Sequence, residues 1–300
     1  MKNRKRTKGL IIFVFLVVLG NLSLGMTSNP EEKVAIVCFL DGKAWISETN
    51  GNEHSEIDLF DWIKIGASIR TNHESSMILA FSNGDRYKLG EKTKATVGQN
   101  GFESYIGSVK QLTPVPIMPQ IVSISQKTRP GRKLGGIRIR GLKKSISGLY
   151  PNNGATVLAD EAVITFEPIE GVERYMVEIK DEWGHRIFSV ETGSHRVAIL
   201  PGTLRPGADF YLSVLTLEKG KSSVVSEAIF ATVREEDAWA RNAFKTQVSQ
   251  SGDMANLLLL ARVDMALGLR KEACETLKAV LSLFPSNLKI KNVISQTGCE

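Results

Sequence analysis

The chain has 300 residues, enough for two domains or three small ones at about 150 residues per domain. Hydrophobic residues make up 42% of it and charged residues 23%, a globular composition that excludes a wholly disordered chain and a polytopic membrane protein. The formal net charge of +6 is misleading, because five of these charges lie within the first eight residues and only +1 is left without them. Nucleic acid is therefore not an expected partner.

The first 25 residues have the pattern of a secretory signal peptide. Basic residues precede an unbroken apolar run over residues 10–19, and small residues follow it up to Gly25. This order of basic, apolar and small-residue regions is typical of export signals. We expect segment 1–25 to direct export to the periplasm or cell envelope of a bacterium. An uncleaved anchor in the inner membrane is the alternative, and no other membrane segment is predicted.

Residues 33–111 alternate short apolar strands with turns, which predicts a small all-β domain. The apolar run 34–40 leads into Asp41-Gly42, and a second pair of strands flanks Asn83-Gly84. Asp-Gly and Asn-Gly are turn sequences that hairpins favour, so a hairpin is predicted at each of them.

The same stretch resembles the FecR domain of exported bacterial proteins. The resemblance rests on the pattern Val-x-x-x-x-Gly-x-Ala that begins at Val37, and on Ile-Gly-x-x-Ile-x-Thr that begins at Ile65. It continues through the strand 77–81 and the turn after it. In iron-regulated relatives this domain lies in the periplasm and takes part in signalling to an anti-sigma system, so the resemblance implies a periplasmic binding or sensing role.

Residues 112–146 are predicted to be a linker, because prolines and Gly-containing pairs interrupt them. The segment is strongly basic, and no acidic residue occurs between Glu103 and Asp160. We expect it either to be a solvated interdomain linker or to bind an anionic glycan, a lipid headgroup or an acidic protein face. The candidate anion-binding residues are Lys127, Arg129, Arg132, Lys133, Arg138, Arg140, Lys143 and Lys144.

Residues 147–233 are predicted to form a β-sandwich of the immunoglobulin or fibronectin III-like kind. Tyr175, Val177 and Ile179 alternate with polar residues, and about seven short strands of this type suit a sandwich. The stretch resembles the fibronectin type III domains that are appended to FecR domains. The resemblance places Phe166 at the usual core tryptophan and Phe210 at the tyrosine corner, so the hydrogen bond of that corner is expected to be missing.

Residues 235–300 are predicted to be helical, with helices over 253–267 and 270–284 after a first helix that begins with acidic residues. Small and apolar positions, with Gly268 in the turn, resemble a tetratricopeptide repeat, although Asp264 replaces an aromatic residue of that pattern. The segment is expected either to cap the sandwich or to offer a groove to a partner peptide. The candidate partner-binding residues are Leu257, Leu260, Ala261 and Ala273.

The sequence has no recognisable motif for catalysis or metal binding, so we predict a non-enzymatic protein with no cofactor. None of the four histidines is paired at ligand spacing, and no nucleophile elbow, phosphate-binding loop or zinc-helix motif occurs. The three cysteines are too few for a disulfide scaffold. We expect Cys38 to behave as a small buried hydrophobe. A disulfide between Cys274 and Cys299 is a hypothesis for an oxidising compartment.

The sequence thus predicts a mainly β protein with a helical C-terminus and leaves two functions open. The first is an exported envelope scaffold or sensor module that binds a protein partner through the helical end. The second is an envelope module that binds a glycan or lipid through the basic linker. Binding of the second kind should weaken steeply as salt is added.

Overall fold

A computed structural model of the chain describes residues 32–48, 54–115, 118–126, 146–218 and 221–299. The described protein is mainly β-sheet with a helical region at the C-terminal end, as the sequence predicts. The predicted export signal and the eight candidate anion-binding residues lie outside the described residues. Among the helices that are described, none is long and apolar enough to cross a membrane.

The N-terminal β unit consists of two antiparallel sheets of five strands each. Its strands are β1 Lys33–Asp41, β2 Ala44–Ser47, β3 His54–Glu56, β4 Trp62–Lys64, β5 Ser68–Thr71, β6 Ser76–Phe81, β7 Arg86–Leu89, β8 Lys94–Val97, β9 Phe102–Ile106 and β10 Val109–Leu112. The first sheet has the order β10-β7-β6-β1-β4 and the second β3-β2-β5-β8-β9. One hydrophobic core, which includes Val37, Ile69 and Leu79, draws buried residues from both sheets.

Of the two predicted hairpins, the one at Asn83-Gly84 is confirmed and the one at Asp41-Gly42 is wrong. Strands β6 and β7 pair across Asn83-Gly84, whereas β1 pairs with β4 and β6, and β2 pairs with β3 and β5. Both edges of β1 are therefore occupied by other strands. Gly42 instead carries the chain from one sheet to the other, with φ at +80°, and a Cβ there would lie 2.4 Å from the Ser75 Oγ atom.

The predicted linker 112–146 contains a helix that the sequence reasoning missed, α1 Met118–Gln126. Pro119 lies in its first turn, where proline removes no intrahelical hydrogen bond. Ile121 and Ile124 are buried against other helices and against β1 and β6. The proline-rich start of this segment therefore leads into a helix, α1, that packs against the rest of the protein.

The predicted sandwich is confirmed. Its strands are β11 Thr156–Val157, β12 Val163–Thr165, β13 Tyr175–Lys180, β14 Arg186–Thr192, β15 Arg196–Ala198, β16 Asp209–Glu218 and β17 Lys221–Thr232, with a short 3-10 turn at Ala159–Glu161. The larger sheet has the order β11-β17-β16-β13-β14, and β12 pairs with β15 in the smaller one. Tyr175, Val177 and Ile179 point into the core, as their alternation predicts.

Two phenylalanines, Phe166 and Phe210, pack in the sandwich core at the positions where a tryptophan and a tyrosine are usual. Phe166 packs edge-on against Tyr175 with ring centroids 5.0 Å apart, and Phe210 stacks on Phe230 at 5.5 Å. Phe210 has no hydroxyl to donate, but the buried Tyr175 hydroxyl accepts a hydrogen bond of 2.8 Å from the Ile169 backbone N–H. Tyr175 of β13 thus forms a hydrogen bond between its side-chain hydroxyl and the backbone of a loop, which Phe210 cannot form.

The C-terminal segment consists of α2 Glu235–Ser251, α3 Met254–Leu267, α4 Arg270–Leu283 and α5 Leu288–Thr297. The helices α3 and α4 lie within one or two residues of their predicted bounds. Gly268, with φ at +80°, ends α3 and allows the tight turn into α4. Asp264 is buried on α3 and forms an ion pair with Arg241 of α2 through contacts of 2.8 and 3.1 Å. This partner explains why an acidic residue stands where the repeat pattern has an aromatic one.

The helices pack between the two β units. Ile36, Cys38 and Ala80, on the outer face of the first sheet, join a cluster with buried residues of α1, α2 and α3. Leu158 of the sandwich belongs to the same cluster. Strand β1 is therefore buried on both faces, and this is the physical reason for the unbroken apolar run 34–40.

Candidate functional site

Three of the four candidate partner-binding residues of the helical segment lie in the interior, and their burial favours the packing alternative for this segment over an open groove. Leu260, Ala261 and Ala273 are 4%, 0% and 1% exposed, and the half-buried Leu257 packs against the same clusters. Small residues at these positions allow α3 and α4 to approach each other and the β unit. They cannot contact a partner unless the helices separate.

A buried arginine joins the helices to the N-terminal β unit. Arg86 of β7 donates from Nη1 to the Asp253 carboxylate at 2.7 Å and to the Asn256 side-chain oxygen at 2.5 Å. Its Nε and Nη2 atoms donate to the Thr113 carbonyl at 3.2 and 3.0 Å. Asp253 also caps α3 by accepting a hydrogen bond from the Ala255 N–H. The start of α3 is thereby fixed on the sheet.

A second junction fixes α5 to the same β unit. Lys289 donates from Nζ to the carboxylates of Glu56 at 2.9 Å and Asp58 at 2.6 Å. Burial lowers the pKa of Lys289, but the hydrogen bonds that its ammonium donates to Asp58 and Glu56, together with their negative charges, outweigh burial and raise that pKa. Asn287 donates to the Leu40 carbonyl at 3.1 Å while its Oδ1 caps α5. Glu56 at the end of β3 and Asp58 in the loop before β4 therefore serve as ion-pair partners of the C-terminal helix.

The three cysteines are either bonded or buried, and the four histidines lie on the surface. Cys274 and Cys299 are joined by a disulfide, with Cα atoms 5.4 Å apart, which ties the C-terminal tail to α4. Cys38 is buried, and burial raises the pKa of its thiol to about 12, so it is protonated and unreactive at neutral pH. All four histidines are exposed. Within the described ranges, no group of three His, Cys, Asp or Glu side chains could hold a metal ion.

A cleft of about 410 Å³ lies on the outer face of the larger sandwich sheet, and we name it the sandwich cleft. Its floor is a row of outward-facing residues on three adjacent strands, since Lys180 of β13 pairs in register with Tyr211 of β16, which pairs with Ile229 of β17. Trp183, in the turn between β13 and β14, and Asn153 also line it. The volume lies within the usual range of about 300–1,000 Å³ for small-molecule sites.

The Trp183 ring is held in place although it is 65% exposed. The Asp181 carboxylate accepts hydrogen bonds from the backbone N–H groups of Trp183 at 3.0 Å and His185 at 2.8 Å, which fixes the turn. The Arg205 guanidinium lies 5.1 Å from the centroid of the Trp183 ring and pairs with Glu182 at 2.5 Å. Such a cation–π contact orients the indole and restricts its rotamers.

The polar groups of the sandwich cleft are of both signs. Glu227 lies 3.4 Å from the Ser213 hydroxyl, which donates to it. Asn153 accepts a hydrogen bond of 2.8 Å from the Ile229 N–H through Oδ1, and its amide NH₂ group donates no hydrogen bond to any described residue. In the part of the chain that the structure describes, the Lys180 ammonium has no salt-bridge partner.

The sequence reasoning missed the sandwich cleft as a site. The tryptophan within the tight turn between β13 and β14 was the available signal. Tyr211, on the polar face of its strand, was the second signal. The two residues are 28 positions apart in the numbering, and they line the same cleft because β13 and β16 pair in register.

Comparisons with known proteins name no family for this chain. No family model matches it, and no curated protein matches it. Among solved structures, it is similar to a segment of two fibronectin type III domains from chicken tenascin, with 11% identity over 63% of this chain and 83% of that chain and a TM-score of 0.26. The FN1–FN3 domains of chicken CNTN1 share 8% identity over 64% of this chain and 57% of theirs, with a TM-score of 0.24.

A third similar structure is the β-1,2-glucanase from Parabacteroides distasonis, with 12% identity over 83% of this chain and 48% of that chain and a TM-score of 0.22. The strand order and register of this chain itself define the sandwich.

Proposed function

We propose that this protein is a non-enzymatic scaffold or sensor module of the bacterial cell envelope that binds another envelope component through the sandwich cleft. In this proposal, residues 1–25 direct export, the N-terminal β unit is FecR-like, and the helical segment is related to a tetratricopeptide repeat. The sequence patterns support these assignments. The contacts of the described residues support a packing role for the helices and a binding role for the sandwich.

The observation that carries the proposal is the burial of the helical residues that a partner would have to touch. Leu260, Ala261 and Ala273 are interior, and the junctions at Arg86 and Lys289 hold α3 and α5 on the β unit. The helical segment therefore acts as an internal clamp between the two β units. A single repeat with one flanking helix on each side cannot build a long superhelical groove of its own.

Binding is consequently assigned to a surface that the fold leaves open. The sandwich cleft combines an exposed, oriented tryptophan with a tyrosine, and aromatic residues of this kind are enriched where proteins bind other molecules. Fibronectin-type sandwiches have no catalytic machinery inherent in their fold, so function depends on such surface sites.

The test is capture of partners by chemical cross-linking in the producing cell, followed by identification by mass. The variant Trp183→Ala removes the aromatic wall of the sandwich cleft, and Trp239→Ala is the matched control, because Trp239 is 67% exposed on α2 and lies outside the cleft. We expect the first variant to lose the captured component and the second to keep it. Equal capture by both variants would contradict the proposal.

Point variants are preferable to removal of the helices after Val233. Truncation would expose Ile36, Cys38 and Ala80 on the outer face of the first sheet. An exposed apolar patch of that kind binds other proteins non-specifically, so capture by a truncated chain would not report on the native surface.

A second candidate function rests on the basic run over residues 127–144, which contains eight cationic side chains and no acidic one. An anionic lipid or glycan bound there would be held by charge. Its affinity for vesicles that contain anionic phospholipid should then fall steeply with ionic strength. Binding that stays constant between about 0.05 and 0.5 M salt would exclude this role.

A further inference from the structure

We propose that the sandwich cleft binds a neutral oligosaccharide, with Trp183 and Tyr211 as the aromatic surfaces on which a sugar ring stacks. This inference rests on the proposed function and specifies the ligand class of the same site. Three properties of the cleft carry it: an oriented aromatic wall, a balanced set of charges, and polar groups that are not used within the protein.

The first property is the rigidity of the aromatic wall. One face of the Trp183 ring is occupied by the Arg205 guanidinium. The Asp181 carboxylate fixes the turn that carries Trp183 by accepting two hydrogen bonds from backbone N–H groups. An indole that is held in this way loses little conformational entropy when a ligand binds. The C–H face of a pyranose ring is apolar and flat enough to pack against such a surface, and Tyr211 provides a second aromatic surface at the cleft floor.

The second property is the charge of the cleft. Lys180, Glu182 and Glu227 line the cleft. Arg205, which lies over the Trp183 ring beside the cleft, pairs with Glu182, so the four charges cancel. A site for a polyanion or an anionic headgroup would have an excess of positive charge. A neutral ligand that carries many hydroxyl groups matches this lining better, since each hydroxyl can donate to a carboxylate and accept from an ammonium or amide.

The third property is the set of polar groups available to a ligand. Among the described residues, the Lys180 ammonium, the Trp183 indole N–H and the Tyr211 hydroxyl make no hydrogen bond to the protein, and the Asn153 amide NH₂ group is likewise open. These donors stand beside the Glu227 carboxylate in one cleft. Convergent donors and acceptors next to an aromatic wall give a sugar both its affinity and its orientation.

An extended proline-rich peptide is the other ligand that an aromatic-lined groove can take. Such peptides offer backbone carbonyl acceptors to the donors of the cleft, but their prolines have no N–H groups to donate. The Glu227 carboxylate would therefore lose solvent under such a peptide without gaining a donor, which costs free energy. The polar lining therefore favours the saccharide.

The experiment uses the protein purified from the envelope of the producing cell and labelled with ¹⁵N, so that the indole N–H signals of its four tryptophans are resolved by NMR. The probes are neutral gluco-oligosaccharides, N-acetylglucosamine oligomers, heparin, anionic phospholipid vesicles and a proline-rich peptide. The signal that Trp183→Ala removes is assigned to Trp183, and the signal that Trp239→Ala removes is assigned to Trp239.

We expect at least one neutral oligosaccharide to shift the Trp183 signal and leave the Trp239 signal in place. Trp183→Ala should weaken that binding at least tenfold, which corresponds to about 1.4 kcal/mol, and Trp239→Ala should leave it unchanged. Added salt should have little effect, because a neutral ligand releases no counterions. Unchanged melting temperatures for both variants would show that the exposed positions are not needed for folding.

Three results would overturn the inference: no neutral saccharide shifts the Trp183 signal, the two tryptophan variants weaken saccharide binding equally, or only the peptide, heparin or vesicles shift the signal. If Trp183→Ala abolishes capture in the cell while no saccharide binds, the saccharide assignment fails and the proposed function stands. If Trp183→Ala changes neither capture nor saccharide binding, both fail.

Discussion

The buried ion pair between α2 and α3 offers a quantitative test of the helical clamp. Arg241 and Asp264 are both fully buried, and two nitrogen atoms of the guanidinium donate to the two carboxylate oxygens at 2.8 and 3.1 Å. A third nitrogen donates to the Asn242 side-chain oxygen at 2.9 Å. Replacing Asp264 by alanine leaves the arginine buried with Asn242 as its remaining side-chain acceptor in the described structure.

The expected cost of Asp264→Ala is about 3–5 kcal/mol in the free energy of unfolding, because an uncompensated buried charge is far more unfavourable than a lost surface contact. Arg241→Met should cost a similar amount, since it leaves the carboxylate without its cation. The double variant Arg241→Met/Asp264→Leu should lie within about 1 kcal/mol of the wild type, because neither charge remains in the interior.

Urea unfolding of the wild type, Arg241→Met, Asp264→Leu and the double variant, followed by far-ultraviolet circular dichroism, gives the coupling energy of the pair through a double-mutant cycle. Asp264→Ala is measured beside these four proteins. The denaturant dependence should be the same in all four proteins if the native fold is preserved. A cost below about 1 kcal/mol for Asp264→Ala would refute the reasoning. So would a double variant that is as unstable as the sum of the single ones.

Three further predictions concern titration, the disulfide and the turn between the sheets. Burial raises the pKa of Asp264 to about 6, so the folded state binds a proton more tightly than the unfolded state. The free energy of unfolding of the wild type should therefore decrease as pH rises from about 4 to 6. Urea titrations at a series of pH values should show this decrease for the wild type and not for Asp264→Asn. Thiol titration of the denatured exported protein should find one thiol before reduction and three after it, because Cys274 and Cys299 are bonded; three thiols before reduction would contradict the bridge. Gly42→Ala should destabilise the protein by about 1–3 kcal/mol more than Gly154→Ala in urea unfolding, since both glycines have φ at +80° but only Gly42 faces a close neighbour; equal losses would remove the steric argument.

Short sequence patterns correctly predicted those strands and turns whose conformation is determined by residues close together in the chain. The alternation of Tyr175, Val177 and Ile179 reports a strand with one buried face, and the structure has that strand. The Asn83-Gly84 turn joins strands that pair with each other. Such signals work because the period of a strand and the φ values of a tight turn are set within a few residues.

The failures occur where distant parts of the chain determine the outcome. A turn sequence at Asp41-Gly42 cannot reveal that other strands already occupy both edges of β1. The small residues Ala261 and Ala273 suit a close helix crossing in either a buried clamp or an open groove, and only the position of the β unit decides between them. The continuous apolar run 34–40 contained the missing information, because a strand covered on both faces has no polar side.

The sandwich cleft was beyond sequence reasoning for the same reason. Its floor is assembled by the register of three strands, which places Lys180, Tyr211 and Ile229 side by side. Lys180 and Ile229 are unremarkable within their own strands. Trp183, a large apolar residue in an exposed turn, and Tyr211, an aromatic residue on the polar face of its strand, are unusual by themselves.

The central claim is that the sandwich cleft, and not the helical end, meets the partner of this protein. The most direct measurement places the photo-reactive residue p-benzoylphenylalanine at position 183 in one protein and at position 283 in another, since Trp183 and Leu283 are each 65% exposed and lie on the sandwich and on α4. Irradiation of the producing cells should yield a cross-linked envelope component from position 183 and none from position 283. A product from position 283 alone would contradict the claim and return the binding site to the helices.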